Sequence, residues 1–393
     1  MIFPGAMLGM LGGGQLGRMF TLAAHGMGYR VAVLDPDPLS PAGAIADVHL
    51  KAAYQDREAL QQLADTCAAV TTEFENVPAD SLRWLASHCT VRPGGDVVAI
   101  AQDRIREKAF FESCGSPGLS VAPYARIETQ AAISSAAPQL FPGILKRARF
   151  GYDGKGQARV ANITEATKAF NRFGAEPCVL ESLVALACEV SVVVTRGADG
   201  AARVFPVAEN QHRHGILDVC IVPARITPQL AQRAEQAALL IAERMAYVGV
   251  LAVEFFVTQG AQGTQGAQGG ELLVNEIAPR PHNSGHYTID ACVTSQYEQQ
   301  VRALCGLALG DTRLLSPVVM VNLLGDAWAS GVPNWRQLFD NPRAKLHLYG
   351  KHEARPGRKM GHFTVIGDSA DAALAEAMQL RAALCPAFAL SGS

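Results

Sequence analysis

Apolar and polar positions alternate along the first hundred residues in a pattern that predicts strands and helices in turn. The short apolar runs "AMLGML", "RVAVLD" and "AAVTTEFE" are typical of buried strands. Helical spacing of apolar positions predicts helices over 15–27, 57–64 and 78–85. Because strands and helices alternate, we expect a doubly wound parallel sheet, which we assign to an N-terminal domain at residues 1–100.

The remainder of the chain predicts two further units of mixed α/β and α+β character. Helical patterns at 96–114 are followed by short, glycine-punctuated elements, which predict a small subdomain at about 117–180. Strand density then rises around one long helix at 228–245, as in an antiparallel sheet with helices packed on it. We assign 101–312 to a central domain and 313–393 to a small C-terminal α+β domain.

Composition and charge narrow the class of protein. The chain has 393 residues, of which 49% are hydrophobic and 18% charged, and its net charge of −2 gives no sign of a surface for nucleic acid or anionic membranes. The nine cysteines form no C-x-x-C pair, so we expect buried thiols in a reducing compartment. No run reaches the roughly 18 apolar residues of a membrane helix. We therefore expect a soluble cytoplasmic protein.

Two glycine-rich stretches interrupt the pattern. At 258–269 the sequence TQGAQG occurs twice in tandem and offers no side chain for a core, which predicts a flexible hairpin loop. The other stretch, "FGYDGKGQARV" at 150–160, follows a strand that delivers Lys146. Its backbone N–H groups can enclose a polyphosphate, with lysine as a point charge, or it can be a surface hairpin. Taken alone, the stretch leaves both interpretations open.

Glycines and acids also mark the predicted edge of the first sheet. "GGGQLG" fits the G-x-G-x-x-G pattern of dinucleotide sites between a strand and a helix, and Asp35 ends the next strand. Any tight strand-to-helix crossover also needs glycines, so the pattern does not single out NAD. We expect a phosphate ligand of some kind there. "TEFENVP" places Glu73, Glu75 and Asn76 at the same edge, where a solvated loop with a helix cap is an equal alternative for Glu73.

Paired carboxylates lie in two later strands. "VEFFV" and "VNEIAPR" bring Glu254 and Glu276 together across a hairpin, with Asn275 beside them. Buried carboxylates are costly unless they are paired or bind a cation, and two carboxylates completed by phosphate oxygens are typical of Mg²⁺. A salt bridge from Glu276 to Arg280 is the alternative.

Taken together, these segments resemble an ATP-grasp enzyme, and most closely the 5-(carboxyamino)imidazole ribonucleotide synthase family. The resemblance runs in order through "GGGQLGRM", "EFENVP", "QDR", "GYDGKGQ", "VEFF", "NEIAPRPHNSGHYT" and "GRKMGH". Two positions depart from the family pattern: Phe150 replaces a glycine and Thr72 a tyrosine. The resemblance implies an ATP-grasp fold in which the subdomain at about 117–180 is a lid carrying the glycine loop.

The resemblance also implies a reaction. An ATP- and bicarbonate-dependent carbon–nitrogen ligase would carboxylate the amine of 5-aminoimidazole ribonucleotide through carboxyphosphate, in purine biosynthesis. The enzyme would use Mg²⁺ and would form a homodimer. It would bind neither nucleic acid nor a membrane. The alternatives are a biotin carboxylase-like enzyme or a formate-dependent glycinamide ribonucleotide transformylase. A nicotinamide-dependent dehydrogenase, or a nucleotide sensor without activity, would be a rival of a different class.

Residue roles implied by the resemblance fall into three groups. The nucleotide and metal group is Arg104, Lys146, Gly151, Tyr152, Asp153, Gly154, Lys155, Gly156, Gln157, Glu181, Ser182, Leu183, Val184, Glu189, His212 and Asn275, with Glu254 and Glu276 as the metal ligands. The substrate group is Gly14, Gln15, Leu16, Glu75, Asn76, Lys351 and Arg358 for the ribonucleotide, with Ser284 for bicarbonate and carboxyphosphate. The catalytic group is Asp153, Arg280, His282, Asn283 and Lys351, with Asp153 expected to orient the amine. Arg355 and Lys359 are not assigned to the site, since one face of such a loop is usually solvated.

Overall fold

The computed structural model describes residues 1–115, 119–151, 156–259 and 270–384 of the chain. Three sheets organise these residues. Among them, no helix is both long and apolar enough to cross a bilayer.

The N-terminal sheet is parallel throughout, as the alternating pattern predicts. Its strand order is β3-β2-β1-β4-β5. The strands are β1 (Met7–Leu11), β2 (Arg30–Leu34), β3 (Val48–Leu50), β4 (Ala69–Thr72) and β5 (Thr90–Val91). The helices of this part are α1 (Gln15–Gly26), α2 (Arg57–Thr66), α3 (Ala79–Ala86), α4 (Gly95–Ala101) and α5 (Arg104–Ser113). Helix α5 begins at Arg104 because the Asp103 side chain accepts hydrogen bonds from two backbone N–H groups of its first turn.

A small antiparallel sheet forms the subdomain expected to act as a lid. Strand β6 (Ser120–Val121) precedes it and pairs elsewhere, whereas β7 (Tyr124–Ile127), β8 (Gly143–Arg147), β9 (Gln157–Val160) and β10 (Cys178–Ser182) pair in the order β7-β10-β8-β9. Helices α6 (Gln130–Ser134) and α7 (Ile163–Arg172) pack on one face of this sheet, where Phe170 and Leu145 are buried. The glycine loop starts where β8 ends.

The third sheet has ten strands and is antiparallel apart from the β6–β16 edge. Along its main path the order is β18-β19-β17-β14-β13-β11-β15-β16-β6, and β12 pairs with β11. The new strands are β11 (Leu186–Arg196), β12 (Ala202–Val204), β13 (Ala208–Arg213), β14 (Ile216–Val222), β15 (Gly249–Thr258), β16 (Leu272–Ala278), β17 (Val318–Leu324), β18 (Ala344–Leu348) and β19 (Lys359–Ile366). The C-terminal strands therefore extend the central sheet rather than forming one of their own.

Helices complete the packing on this sheet. Helix α8 (Pro228–Arg244), which begins at the Thr227 cap, packs its buried alanines, Leu230 and Ile241 on β11 and β15. Shorter helices follow: α9 (Thr288–Ala291), α10 (Gln296–Cys305), α11 (Arg336–Phe339) and α12 (Ala370–Leu384). Tyr297 and Leu304 of α10 share one buried cluster with Phe20 of α1, so the N-terminal domain packs directly on the central one. This packing brings the edges of the sheets together around one cavity.

Candidate active site

One cavity of about 1040 Å³ is lined by residues from all three sheets. It collects predicted site residues that are far apart in sequence, and those that line it are Gly14, Gln15, Leu16, Glu75, Asn76, Arg104, Lys146, Gly151, Gln157, Glu189, His212, Glu254, Asn275, Glu276, Arg280, His282, Asn283 and Lys351. Expected nucleotide, ribonucleotide and catalytic residues therefore face the same space.

A β-bulge shapes the part of the cavity that holds the paired carboxylates. Glu254 of β15 lies directly opposite Glu276 of β16, but the next residue, Phe255, pairs with Val274. Asn275 is thus the extra residue on its strand, and such a bulge turns a side chain that would otherwise face away. As a result Asn275 and Glu276, although consecutive, both line the cavity.

The donor set at the bulge fits a hard divalent cation. Asn275 Oδ1 is buried and has no hydrogen-bond partner among the described residues, and it lies next to the two facing carboxylates. Magnesium prefers oxygen ligands and usually keeps phosphate or water oxygens in its remaining positions. In the described part of the chain, no three His, Cys, Asp or Glu side chains form a complete metal site by themselves. Two carboxylates and one amide oxygen agree with an ion that the substrate completes.

The pKa values of the two facing carboxylates shift in opposite directions. Burial and the nearby Glu276 raise the pKa of Glu254 above its usual range. Burial also disfavours the ionised form of Glu276, but the Arg104 guanidinium, whose Nη1 lies 2.7 Å from Glu276 Oε2, overrides it and lowers the pKa of Glu276. The alternative partner considered for Glu276, Arg280, instead pairs with Glu75 at 2.6 Å.

Histidines line the cavity wall beside Glu254. His282 Nε2 lies 3.1 Å from Glu254 Oε1, and burial together with Arg280 holds the pKa of His282 well below its usual range. The backbone N–H of Ser284 donates to His282 Nδ1, so the proton of the neutral ring sits on Nε2 and points to Glu254. His212 Nδ1 lies 3.1 Å from Glu189 Oε2; burial opposes the imidazolium, but Glu189 raises the pKa of His212.

The glycine loop of the first domain differs from the expected phosphate site. Gly14 N–H donates to Glu73 Oε1 at 2.5 Å and Gly17 N–H to Glu73 Oε2 at 2.7 Å, while Gly13 N–H donates to Asp35. Carboxylates of the protein therefore occupy the N–H groups that would bind a dinucleotide phosphate. Glu73 is buried at the start of α1, so it does not lie in the solvated loop that was its alternative. Burial, which outweighs these hydrogen bonds, raises the pKa of Glu73.

Several predicted site residues are not brought to the cavity wall. Glu181 is buried and its carboxylate binds Lys146 at 2.7 Å and Lys108 at 3.3 Å, so this side chain does not face the nucleotide space. Ser284 is buried behind His282 and bonds to Ser191. The others that do not line the cavity are Gly156, Ser182, Leu183, Val184 and Arg358. The expected roles of Ser182, Leu183 and Val184 at adenine stay predictions.

The basic C-terminal segment also differs in detail from expectation. Lys351 lines the cavity and donates to Gln15 Oε1 and to the Lys359 carbonyl, each at 2.6 Å. Lys359, which we did not assign to the site, lines the cavity as well, whereas Arg358 donates to the Glu353 carbonyl away from it. Lys359 is the first residue of β19, and Arg358 belongs to the loop before that strand.

The central part of the glycine loop lies outside the described residues. Tyr152, Asp153, Gly154 and Lys155 belong to it, so their assigned contacts stay predictions. The loop is flanked by Gly151 and Gln157, which line the cavity.

Two functional candidates were missed by sequence reasoning. Glu107 lines the cavity and Lys108 binds Glu181, yet both are almost fully buried. Their positions three and four residues after Arg104 place all three on one helix face, and this spacing is the signal that could have found them.

Comparison with known proteins agrees with the fold and its cavity. A ribonucleotide synthetase preATP-grasp domain model matches residues 6–102, an ATP-grasp domain model matches 113–297, and a phosphoribosylaminoimidazole carboxylase C-terminal domain model matches 318–376. The expected ATP-grasp architecture, with its N-terminal parallel-sheet domain, is thereby confirmed.

Individual relatives narrow the family. The chain is 46% identical over 371 residues to an N5-carboxyaminoimidazole ribonucleotide synthase of Bacillus subtilis, covering 94% of each chain. A crystal structure of an ADP complex of an N5-carboxyaminoimidazole ribonucleotide synthetase has a TM-score of 0.88 and 44% identity, covering 97% of each chain. Another, from Aspergillus clavatus in complex with ADP and 5-aminoimidazole ribonucleotide, has a TM-score of 0.85 and 29% identity, covering 96% of this chain and 98% of the other. The chain belongs to the family of N5-carboxyaminoimidazole ribonucleotide synthases.

Proposed function

We propose that the chain uses ATP and bicarbonate to carboxylate the amine of 5-aminoimidazole ribonucleotide, and that it does so in this cavity. The observation that carries the proposal is that the Glu254–Glu276 pair faces the same space as Arg280, His282 and Lys351. Membership of the family confirms the expected reaction and enzyme class, an ATP-dependent ligase. The relatives give no support to the biotin carboxylase-like or formyl-transferring alternatives.

The nucleotide end of the cavity is built to hold charge. Glu254, Glu276 and Asn275 Oδ1 would hold Mg²⁺, which when bound shields the negative charge of the phosphates. Arg104 and Lys146 place cationic groups along the same wall, where they favour the charge that spreads over a transferring phosphoryl group. For phosphoryl transfer to bicarbonate, the protein then mainly has to position the two reactants and supply positive charge.

The neighbouring wall suits a small anion. Arg280, fixed by Glu75, supplies a permanent charge, while the neutral His282 ring can donate or accept a hydrogen bond without adding charge. Asn283 lines the same wall and is fixed by a reciprocal amide pair with Asn322, with bonds of 2.7 and 3.1 Å. These side chains would hold bicarbonate and then carboxyphosphate away from water, which otherwise destroys it.

The ribonucleotide would lie toward the first domain. The backbone N–H groups of Gln15 and Leu16 have no acceptor within the described residues, and they open helix α1 beside Lys351. A helix N-terminus with free donors and a neighbouring ammonium group favours a phosphate or hydroxyl ligand. Lys359 takes the place of Arg358 as the second cation of this end. Asp153 is expected to orient the amine from the glycine loop.

Two further properties belong to the proposal. A cytoplasmic enzyme is supported by the cysteine pattern and by its place in nucleotide synthesis. A homodimer is expected from the family resemblance, and light scattering of the purified chain would test it.

The deciding experiment compares ADP release with and without 5-aminoimidazole ribonucleotide at fixed bicarbonate and Mg²⁺. We expect ribonucleotide to stimulate ADP release and one carboxylated product to form per ADP. Stimulation by biotin or by glycinamide ribonucleotide with formate, in place of this substrate, would overturn the proposal.

A further inference from the structure

One face of helix α5 holds the strand that carries the metal ligands. Arg104, Glu107 and Lys108 occupy positions i, i+3 and i+4, so they project from the same side of the helix. Arg104 binds the Glu276 side chain, as described above. The other two residues bind not side chains of β16 but its backbone.

Among the described residues, no strand pairs with the outer edge of β16 where Glu276 lies. Strand β6 pairs with β16 only at Leu273 and Val274. Beyond them, Glu107 Oε1 accepts a hydrogen bond from Ile277 N–H at 2.8 Å, and Lys108 Nζ donates to the Asn275 carbonyl at 3.3 Å. Two side chains thus replace the missing strand, and their bonds bracket Glu276 on both sides.

Burying the Glu107 and Lys108 side chains costs desolvation free energy, so their presence at this edge needs an explanation. Glu107 is 2% exposed and Lys108 1% exposed. Ionisable groups are rarely buried so deeply unless each is paired or hydrogen-bonded, and apolar side chains would cover a strand edge with less desolvation. Lys108 is paired with Glu181. Burial, which outweighs the nearby Arg104 guanidinium, raises the pKa of Glu107 to about 8, and the Glu107 carboxyl accepts the Ile277 N–H. What apolar side chains could not do is bond the backbone and so fix the bulge at Asn275.

We propose that Glu107 and Lys108 are positioning residues that fix the bulged edge of β16, so that Asn275 and Glu276 present their oxygens together to the metal–nucleotide complex. This inference rests on the proposed metal site at Glu254 and Glu276. Its chemistry is that of outer groups that orient metal ligands, whose loss typically weakens metal affinity or activity by 10- to 100-fold.

The test measures ADP binding by calorimetry over a series of Mg²⁺ concentrations, alongside thermal unfolding. Glu107→Met keeps the size of the side chain but leaves Ile277 N–H without an acceptor, and should raise the Mg²⁺ concentration for half-maximal strengthening of ADP binding by about tenfold. Glu107→Gln retains an acceptor oxygen and should stay close to the wild-type midpoint. Turnover is measured in parallel, and the Mg²⁺ concentration for half-maximal turnover of Glu107→Met should rise as well.

A matched control separates positioning from stability. Gln300 Oε1 accepts the Val250 N–H at 2.6 Å near the start of β15, a buried side-chain-to-strand bond of the same kind away from the carboxylates. Gln300→Met should lower the melting temperature and leave the Mg²⁺ midpoint unchanged. If Glu107→Met behaves like Gln300→Met, or if Glu107→Gln is as impaired as Glu107→Met, the positioning role is lost. Glu276→Gln tests the metal site separately from the positioning role. If this variant keeps the wild-type Mg²⁺ dependence of ADP binding, the metal site itself is misassigned.

Discussion

Replacing Glu181 by glutamine should destabilise the chain by removing a buried electrostatic interaction. The carboxylate is buried between two ammonium groups, with Lys146 at 2.7 Å and Lys108 at 3.3 Å. Glu181→Gln keeps the size of the side chain but leaves two buried lysines without a counter-charge. Removing one partner of a buried ion pair typically costs about 3–5 kcal/mol.

The lowered pKa of Glu181 gives the size of this stability contribution independently. Burial opposes the carboxylate, but Lys146 and then Lys108 override burial and hold the pKa at about 2, against an ordinary 4.5. At 1.36 kcal/mol for each pKa unit, this lowering is worth about 3 kcal/mol of stability at neutral pH. Because the pKa in the folded state is depressed, the contribution is fully present above about pH 4.5. It is lost as the pH falls from there toward about 2.

Urea denaturation of wild type and Glu181→Gln at several pH values would measure this difference. We expect a loss of about 3 kcal/mol at pH 7 that shrinks steadily below about pH 4.5. The exposed pair of Arg83 with Asp80 supplies a control, since Asp80→Asn should leave the unfolding free energy nearly unchanged at every pH measured. A Glu181→Gln effect as small as that of the control, or one that does not change with pH, would refute the reasoning.

Three further predictions concern the cavity and its borders. Asp153→Asn should retain ATP binding but lose carboxylated product more than ADP formation; the product-to-ADP ratio decides, and an unchanged ratio with weaker ATP binding would assign Asp153 to the nucleotide. Glu73→Gln can accept only one of the two N–H bonds from Gly14 and Gly17, so it should cost about 1–3 kcal/mol in chemical denaturation, and a wild-type unfolding free energy would contradict the cap. Replacing 260–269 by a short turn, while keeping Gln259 because its N–H donates to the Ala185 carbonyl, should leave turnover nearly unchanged. A large loss of turnover in a folded loop variant would show that the repeat has a function.

Much of the local structure could be predicted from the sequence. The alternating runs of the first hundred residues form a parallel sheet, and the paired apolar strands do bring Glu254 opposite Glu276. Hydrophobic periodicity and turn residues are local properties, so they can be recognised without knowing which elements pack together. Strand β3 (Val48–Leu50) was not predicted, because three half-buried residues carry too little pattern.

Side-chain partners could not be predicted in the same way. Arg104 and Glu276 are 172 residues apart, and Glu73 meets the glycine loop from 56 and 59 residues away. The sequence contains the acids and the donors, but the packing of one sheet edge against another selects which of them meet. The glycine pattern alone therefore could not show that protein carboxylates bind the N–H groups of Gly13, Gly14 and Gly17.

The order of elements, the family resemblance and the residue types available for chemistry can all be read from the amino-acid sequence. Three features depend on the fold: Asn275 and Glu276 face the same cavity, Glu73 and Asp35 accept from the glycine-loop amides, and Lys359 rather than Arg358 lines the site. The difference arises because periodicity fixes the face of a side chain only relative to its own strand. A bulge, a cap or a long-range ion pair depends on the neighbours that the fold brings to it.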